Sequence, residues 1–243
     1  MRDDGRTSDT LRKVEIIPGF VSNAFASVLY SQGKTKVLCC ASFLKNTAPH
    51  LRDTGTGWLT AEYALLPASA SSRCPRERMK VSGRSQEIQR LIGRCLRTIV
   101  NLKYFGENTL FIDCDVIEAD GGTRCASLNG AYLALRLACH RLKKSGILGF
   151  DPVREELGAV SVGKVEGKYL LDLSYSEDNL AGVDANFILT GGGDISEIQV
   201  TGEEETCSWE DFGKMSELAK KGAKEIIDLS RKTLNQFGID ISK

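Results

Sequence analysis

The stretch Thr109–Leu142, TLFIDCDVIEADGGTRCASLNGAYLALRLACHRL, decides the fold. Its start is β-rich, with Leu110, Ile112, Cys114 and Val116 at period two, the alternation of a strand with one buried face. Ala119-Asp120-Gly121-Gly122 breaks that pattern. Beyond it Leu128, Ala131, Tyr132, Leu135, Ala138 and Leu142 recur at helical spacing, which predicts a helix. Thr123, Arg124 and Ser127 lie between turn and helix. The first turn of a helix has N–H groups with no partner inside the helix, and it carries the positive end of the dipole. A hydroxyl and a guanidinium there make a seat for a phosphate-sized anion. The segment is not a P-loop, because no Gly-Lys-Ser/Thr follows, and it lacks the G-x-G-x-x-G of a dinucleotide site. Taken alone, a Gly-Gly turn before a buried helix fits plain packing equally well.

Upstream, residues 2–13 read as a polar, exposed lead-in, and Val14–Phe20 as a strand. Ser27–Ser31 and Thr35–Phe43 predict a hairpin about Gln32-Gly33-Lys34, with Val28 and Tyr30 facing Val37 and Cys39 or their neighbours. Gly57–Pro67 predicts a strand stopped by its proline. Ile88, Leu91, Ile92, Cys95, Leu96 and Ile99 form the apolar stripe of a helix that Gly106 ends, and Arg84 precedes its first turn. Downstream, Leu157–Val165 and Tyr169–Tyr175 predict one hairpin, and Ala185–Thr190 with Ile195–Val200 a second. Trp209–Phe237 reads as a long amphipathic helix opened by Ser208 and Asp211. Sheets backed by helices make this an α+β (mixed α/β) chain. No linker separates independent units, so residues 1–243 read as a single domain.

The formal net charge is zero, so there is no global pull toward nucleic acid or anionic membrane, and any nucleic-acid site must be local. Such a patch lies between Arg73 and Lys103, where Arg73, Arg76, Arg78, Lys80, Arg84, Arg90, Arg94 and Arg97 are opposed only by Glu77 and Glu87. Arg90, Arg94 and Arg97 read as a solvated helix face. Arg73, Arg76 and Arg78 lie in a polar loop, where clustered arginine suits phosphate backbones. That loop has no aromatic residue, so base stacking is not implied there. The eight cysteines form no C-x-x-C pair, and His50 and His140 are far apart, which argues against zinc. Cys39, Cys95, Cys114 and Cys139 fall in apolar patterns and read as small buried hydrophobes. The charged N-terminus does not resemble a secretory leader, and no apolar run approaches a membrane span. A reducing cytoplasm fits.

A second constellation comes after the glycine-turn helix. Asp178 and Asp184 bracket a loop between two predicted strands, with Asp172 and Glu177 near. Two carboxylates at neighbouring strand ends can converge on Mg²⁺, which completes its shell with waters and substrate phosphates. One of them can instead move a proton. Alone, the stretch reads as a solvated acidic turn. Beside two phosphate-ready helix starts and a basic loop, it supplies the remaining part that phosphodiester chemistry requires.

Five motifs, in order, resemble bacterial ribonuclease PH: Arg2-x-Asp4-Gly5-Arg6, Gly33-x-Thr35-Lys36-Val37-Leu38-Cys39, Gly57-Trp58-Leu59-Thr60-Ala61-Glu62-Tyr63, Gly83-Arg84-Ser85-x-Glu87-Ile88-Gln89-Arg90, and Asp113 through Arg124. The resemblance runs nearly end to end. It implies the β-α-β fold shared with domain two of ribosomal protein S5. It also implies a phosphate-dependent 3′→5′ exoribonuclease that trims nucleotides beyond the CCA end of tRNA precursors and releases nucleoside diphosphates. A homohexamer built as a trimer of dimers comes with it. By position it implies phosphate binding by Arg84, Gly122, Thr123 and Arg124, and metal and catalytic roles for Asp178 and Asp184. Arg73 and Arg76 correspond to RNA-contacting arginines. The chain departs from the family at Ala68, where arginine is usual, in a shorter loop before Gly83, and at Thr201–Cys207. The competing readings are hydrolysis by water and a catalytically silent, RNA-binding ring subunit.

Overall fold

The computed structural model describes residues 2–47, 51–77 and 80–239; Arg78 and His50 lie outside them. The N-terminal half builds a five-stranded sheet, ordered β1-β2-β3-β5-β4. Its strands are β1 (Val14–Pro18), β2 (Ala26–Gln32), β3 (Thr35–Leu44), β4 (Trp58–Leu65) and β5 (Thr109–Glu118). The predicted hairpin register holds: Val28 pairs with Cys39 and Tyr30 with Val37. Only β4 and β5 run parallel, so a crossover is required, and helix α1 (Gly83–Thr98) supplies it. Helix α2 (Thr123–Lys144) comes directly after β5. The second sheet is ordered β7-β6-β8-β9, from β6 (Leu157–Val165), β7 (Lys168–Leu171), β8 (Ala181–Thr190) and β9 (Ile195–Gly202). A one-turn helix, α3 (Tyr175–Asp178), precedes β8, and α4 (Trp209–Asn235) closes the fold.

The predicted stripe on α2 understates its burial. Every residue from Cys125 to Cys139 is buried, because the helix packs on both sheets. Its core cluster joins Val28 and Tyr30 of the first sheet to Leu157, Ala159 and Ile188 of the second. Buried Asn129 donates to the Ala159 carbonyl at 2.9 Å and accepts from the Ala159 N–H at 2.8 Å, tying α2 to β6 with its amide satisfied on both sides. A Cβ at Gly130 would lie 2.6 Å from Cys39 Sγ, so the helix backbone rests directly on β3. All eight cysteines are free thiols, and Cys39, Cys95, Cys114 and Cys139 are buried as expected. Among the described residues, no helix is long and apolar enough to cross a membrane.

Several expectations need correction. Helix α1 ends at Thr98, and Gly106 instead closes a separate short 3-10 turn, Leu102–Phe105. The helix face of Arg94 and Arg97 is not simply solvated. Arg94 donates to Glu197 of β9, and Arg97 lies over the Trp58 ring at 4.7 Å while donating to the Leu59 carbonyl at 2.9 Å. The strand expected over Tyr169–Tyr175 stops at Leu171, because Asp172 takes a left-handed conformation, φ 57°. And residues 2–13 are a strap held down by two buried arginines. Arg2 donates to both Glu177 oxygens at 2.7 Å and to the carbonyls of Leu171 and Asp172 at 2.8 Å. Arg12 grips Asp172 through Nε at 3.1 Å and Nη2 at 2.7 Å, and its guanidinium also donates to the Asp120 carbonyl.

The strap fixes the glycine turn. Gly121 has φ 75°, and a Cβ there would meet Leu173 O at 2.6 Å and Tyr175 N at 2.8 Å. Only glycine permits both the conformation and the approach. Burial pushes the Asp172 carboxyl up, but the hydrogen bonds and charge of Arg12 outweigh it and hold it below the usual carboxylate range. A depressed carboxyl stabilises the fold fully above its unfolded value, and the contribution is lost as pH falls through the folded value. Arg12→Met should lower stability at neutral pH by about 3–5 kcal/mol, since it strands a buried carboxylate. Urea unfolding checks this, and an unchanged midpoint would refute it. The wild type should lose this stabilisation on acidification, whereas the variant should lack that component. Gly121→Ala should also lower the midpoint; a tolerated alanine would contradict the close backbone approach.

Candidate active site

The end of β5 carries the glycine turn to the start of α2, and two contacts hold it. Thr35, next to the β2–β3 hairpin tip, donates Oγ1 to the Gly121 carbonyl at 2.7 Å and accepts from the Asp120 N–H at 2.9 Å. Arg12 grips the same turn, donating to the Asp120 carbonyl. The N-cap of α2 is Gly122, φ 64°, which has no side chain to accept from the first-turn N–H groups. They therefore remain available to an external anion. Thr123 is fixed beside them by the Tyr63 hydroxyl, 3.1 Å from its Oγ1.

Arg124 is next along the helix. Its Nη2 lies 3.7 Å from Glu87 Oε1 of α1, and its Nε is buried with no hydrogen-bond partner among the described residues. Helix α1 begins at the same cleft. Ser82 caps it by accepting from the Ser85 N–H at 3.1 Å, and exposed Arg84 projects from its first turn. Asp178 ends α3, and Asp184 stands on β8 with Oδ1 buried and without a hydrogen-bond partner among the described residues.

Arg84, Thr123, Arg124, Asp178 and Asp184 all line one cleft of about 1170 Å³. Desolvation pushes the Asp178 carboxyl up against the pull of Arg124 and Arg84, both close enough to act on it. Asp184 is raised by burial and then by the like charge of Asp178. The structure thus brings together the expected anion-binding residues and both expected carboxylates. Asp172 and Glu177 are not part of this set, because Arg12 and Arg2 occupy them.

Arg73 and Arg76 are not among the lining residues. Among the described residues, the loop that bears them forms the cleft wall at Ala68–Ser72. Arg76 instead acts on Asp115, whose position in β5 alternates with buried Cys114 and Val116 and so faces the other side of the sheet.

Two further cleft residues carry almost no signature in the sequence. Glu203 lines the cleft and raises both aspartates. Its loop is folded over the Gly182 carbonyl, which accepts from the N–H groups of Glu203 at 2.9 Å and Glu204 at 3.2 Å. The unusual Thr201–Cys207 sequence is the only signal. Tyr175 also lines the cleft, and the strand expected there hides it.

The donor set suits a hard divalent cation. Asp184 Oδ1 is a buried carboxylate oxygen without a partner, beside a second carboxylate. Among the described residues no cluster of three or more His, Cys, Asp or Glu forms a closed cage. Mg²⁺ needs only one or two carboxylates, with waters and phosphate oxygens completing its shell.

Residues 10–140 match the model of the 3′ exoribonuclease family, domain 1, and residues 156–222 that of domain 2. The chain is 49% identical over 240 residues to Ribonuclease PH of Bacillus velezensis, covering 97% of this chain and 98% of the relative. It is 49% identical over 238 residues to Ribonuclease PH of Bacillus subtilis, covering 96% and 97%. Among solved structures, rice Rrp46 matches with a TM-score of 0.78 at 20% identity, covering 96% of this chain and 100% of that one. The Archaeoglobus fulgidus exosome with RNA bound to the active site matches at 0.78 and 23% identity, covering 97% and 92%. The two structures speak to the fold, which is that of the ribonuclease PH family. Family models spanning most of the chain, and close sequence relatives from end to end, agree with the cleft built on the glycine turn: this chain belongs to the ribonuclease PH family of 3′ exoribonucleases.

Proposed function

We propose that this cleft is the phosphorolytic centre, with inorganic phosphate seated by Arg84, Gly122, Thr123 and Arg124. The chain is a phosphate-dependent 3′→5′ exoribonuclease, the reaction class of its family. One observation carries the residue assignment. Arg124, with its buried donor Nε, and Asp184, with its buried acceptor Oδ1, line the same cleft, and among the described residues both atoms lack partners. Leaving such a group unsatisfied costs about 1–3 kcal/mol. A bound anion and cation would satisfy them both.

In the reaction, a phosphate oxygen attacks the phosphorus of the last RNA linkage. A P–O bond forms, the bond to the leaving 3′-oxygen breaks, and that oxygen takes a proton. A nucleoside diphosphate is released. Arg84 and Arg124 offset the negative charge of the approaching phosphate, and the first-turn N–H groups of α2 orient it. Asp178 and Asp184 would hold Mg²⁺, which supplies Lewis-acid stabilisation of charge on the scissile phosphate. We assign delivery of the proton to Asp184, which stands on β8 and lines the same cleft. Arg73 and Arg76 would track the RNA backbone beyond the cleft wall.

The substrate we propose is a tRNA precursor with nucleotides beyond its CCA end, trimmed in the cytoplasm by a homohexamer built as a trimer of dimers. The shared core around α2 supports treating residues 1–243 as one domain. The reading as a silent RNA-binding subunit is disfavoured, because the arginines and aspartates needed for chemistry all line one cleft.

Arg124→Ala removes a charge-assisted contact worth about 1.5–3 kcal/mol. Phosphate-dependent trimming of a 3′-extended tRNA should therefore fall roughly ten- to hundred-fold. Chromatography of released nucleoside diphosphate checks this. Unchanged release, or nucleoside monophosphates formed without phosphate, would overturn the proposal. Asp184→Asn should abolish most trimming and flatten its dependence on Mg²⁺, while the urea midpoint stays near that of the wild type. A variant that keeps both rate and Mg²⁺ dependence would exclude Asp184 from the centre.

A further inference from the structure

We infer that Tyr175 is a stacking platform for the base of the RNA's 3′-terminal nucleotide, an inference that rests on the cleft being the phosphorolytic centre. Tyr175 is the one aromatic side chain among the described residues lining the cleft. It is 54% exposed. Among the described residues, its ring and hydroxyl have no hydrogen-bond, ion or ring partner. An uncovered ring facing a polar cleft has a free π-face for a base.

The ring stands on a fixed backbone. The missing Cβ of Gly121 lets the glycine turn press on Ser174 and Tyr175, at 2.7 and 2.8 Å from where that atom would be. Ser174 and Glu177 form a capping box around the same turn, and Arg2 holds Glu177 with two hydrogen bonds of 2.7 Å. The remaining freedom is chiefly rotation of the side chain. A platform anchored in this way loses little entropy when a base settles on it.

Its position matches the terminal nucleotide. Tyr175 and Asp178 are three residues apart in one helical turn, so they project from the same face. Asp178 serves the terminal linkage in the proposed reaction, which places the base of that nucleotide within reach of the ring. The wall segment Ala68-Ser69-Ala70-Ser71-Ser72 has no aromatic ring to stack on. Stacking is indifferent to base identity, because every base has a π-face. That suits an enzyme whose substrate changes its terminal base at every turnover.

The test compares wild type, Tyr175→Phe, Tyr175→Leu and Tyr175→Ala at saturating phosphate. Three RNAs are used: one with an intact end, one with an abasic ribose at the 3′-terminal position, and one with it at the penultimate position. On intact RNA, the Ala and Leu variants should raise the KM for RNA on the order of ten-fold. Their kcat and phosphate KM should stay close to wild type, and Tyr175→Phe should behave as wild type. The terminal abasic substrate should erase the difference between wild type and Tyr175→Ala, and the penultimate one should preserve it. An unchanged KM, a Phe variant as impaired as Ala, or a difference that survives the terminal abasic ribose would overturn the inference. Arg124→Ala, run alongside, separates the two failures. If it retains full phosphorolysis, the cleft reading fails; if it loses activity while the tyrosine arms fail, only the platform is refuted.

Discussion

The site depends on one buried ion pair and the close contact it secures. Arg12 and Asp172 join the N-terminal strap to the end of β7 across 160 residues of chain. The same guanidinium reaches the carbonyls of the glycine turn. Desolvating two charges is costly, and the pair offsets it with three hydrogen bonds from Arg12 to the Asp172 carboxylate, at 2.7, 3.1 and 2.7 Å. The consequence for the cleft is positional. With Gly121 pressed on the chain before α3, the start of α2 and the carboxylate of Asp178 share a cleft. A side chain at that glycine would drive them apart.

In the proposed reaction, the chemistry comes from groups the fold leaves incomplete. Helix α2 has a glycine where a capping side chain is common, so its first-turn donors are not satisfied internally. Arg124 and Asp184 each keep a buried polar atom without a partner. Buried Asn129 shows the ordinary case, an amide satisfied on both sides; in the proposed reaction, substrate and cation would satisfy the two unpaired cleft atoms. The neighbouring acids are treated differently. Asp172 and Glu177 are neutralised by arginines and hold the scaffold, whereas Asp178 and Asp184 are raised by burial, and Asp184 also by the like charge of Asp178.

Much of this is legible in the sequence, for physical reasons. The alternation in β5, the Gly-Gly turn and the periodicity of α2 are local signals, and the structure shows each of them. Arg84, Thr123, Arg124, Asp178 and Asp184 can be singled out because helix starts and paired carboxylates have compositional signatures. The strap is not legible, because a run of charged residues looks solvated. The partners that bury Arg2 and Arg12 lie some 160–175 residues away, and nothing local announces them. Asp172 reads as part of a strand because its left-handed conformation is imposed by those same distant arginines. The strand expected there conceals α3, and with it the tyrosine in the cleft. Glu203 is hidden for a related reason: its loop is shaped by a carbonyl on β8 and not by its own sequence.

In the proposed centre, two arginines distant along the chain meet a pair of carboxylates around one tetrahedral anion. The most direct measurement is a crystal structure of the protein grown with tungstate, whose scattering locates a phosphate mimic without ambiguity. One anion is expected in the cleft, in contact with Arg84 and Arg124 and with the first-turn N–H groups of α2. An empty cleft with tungstate bound elsewhere, or an anion touching only one of the two arginines, would contradict it.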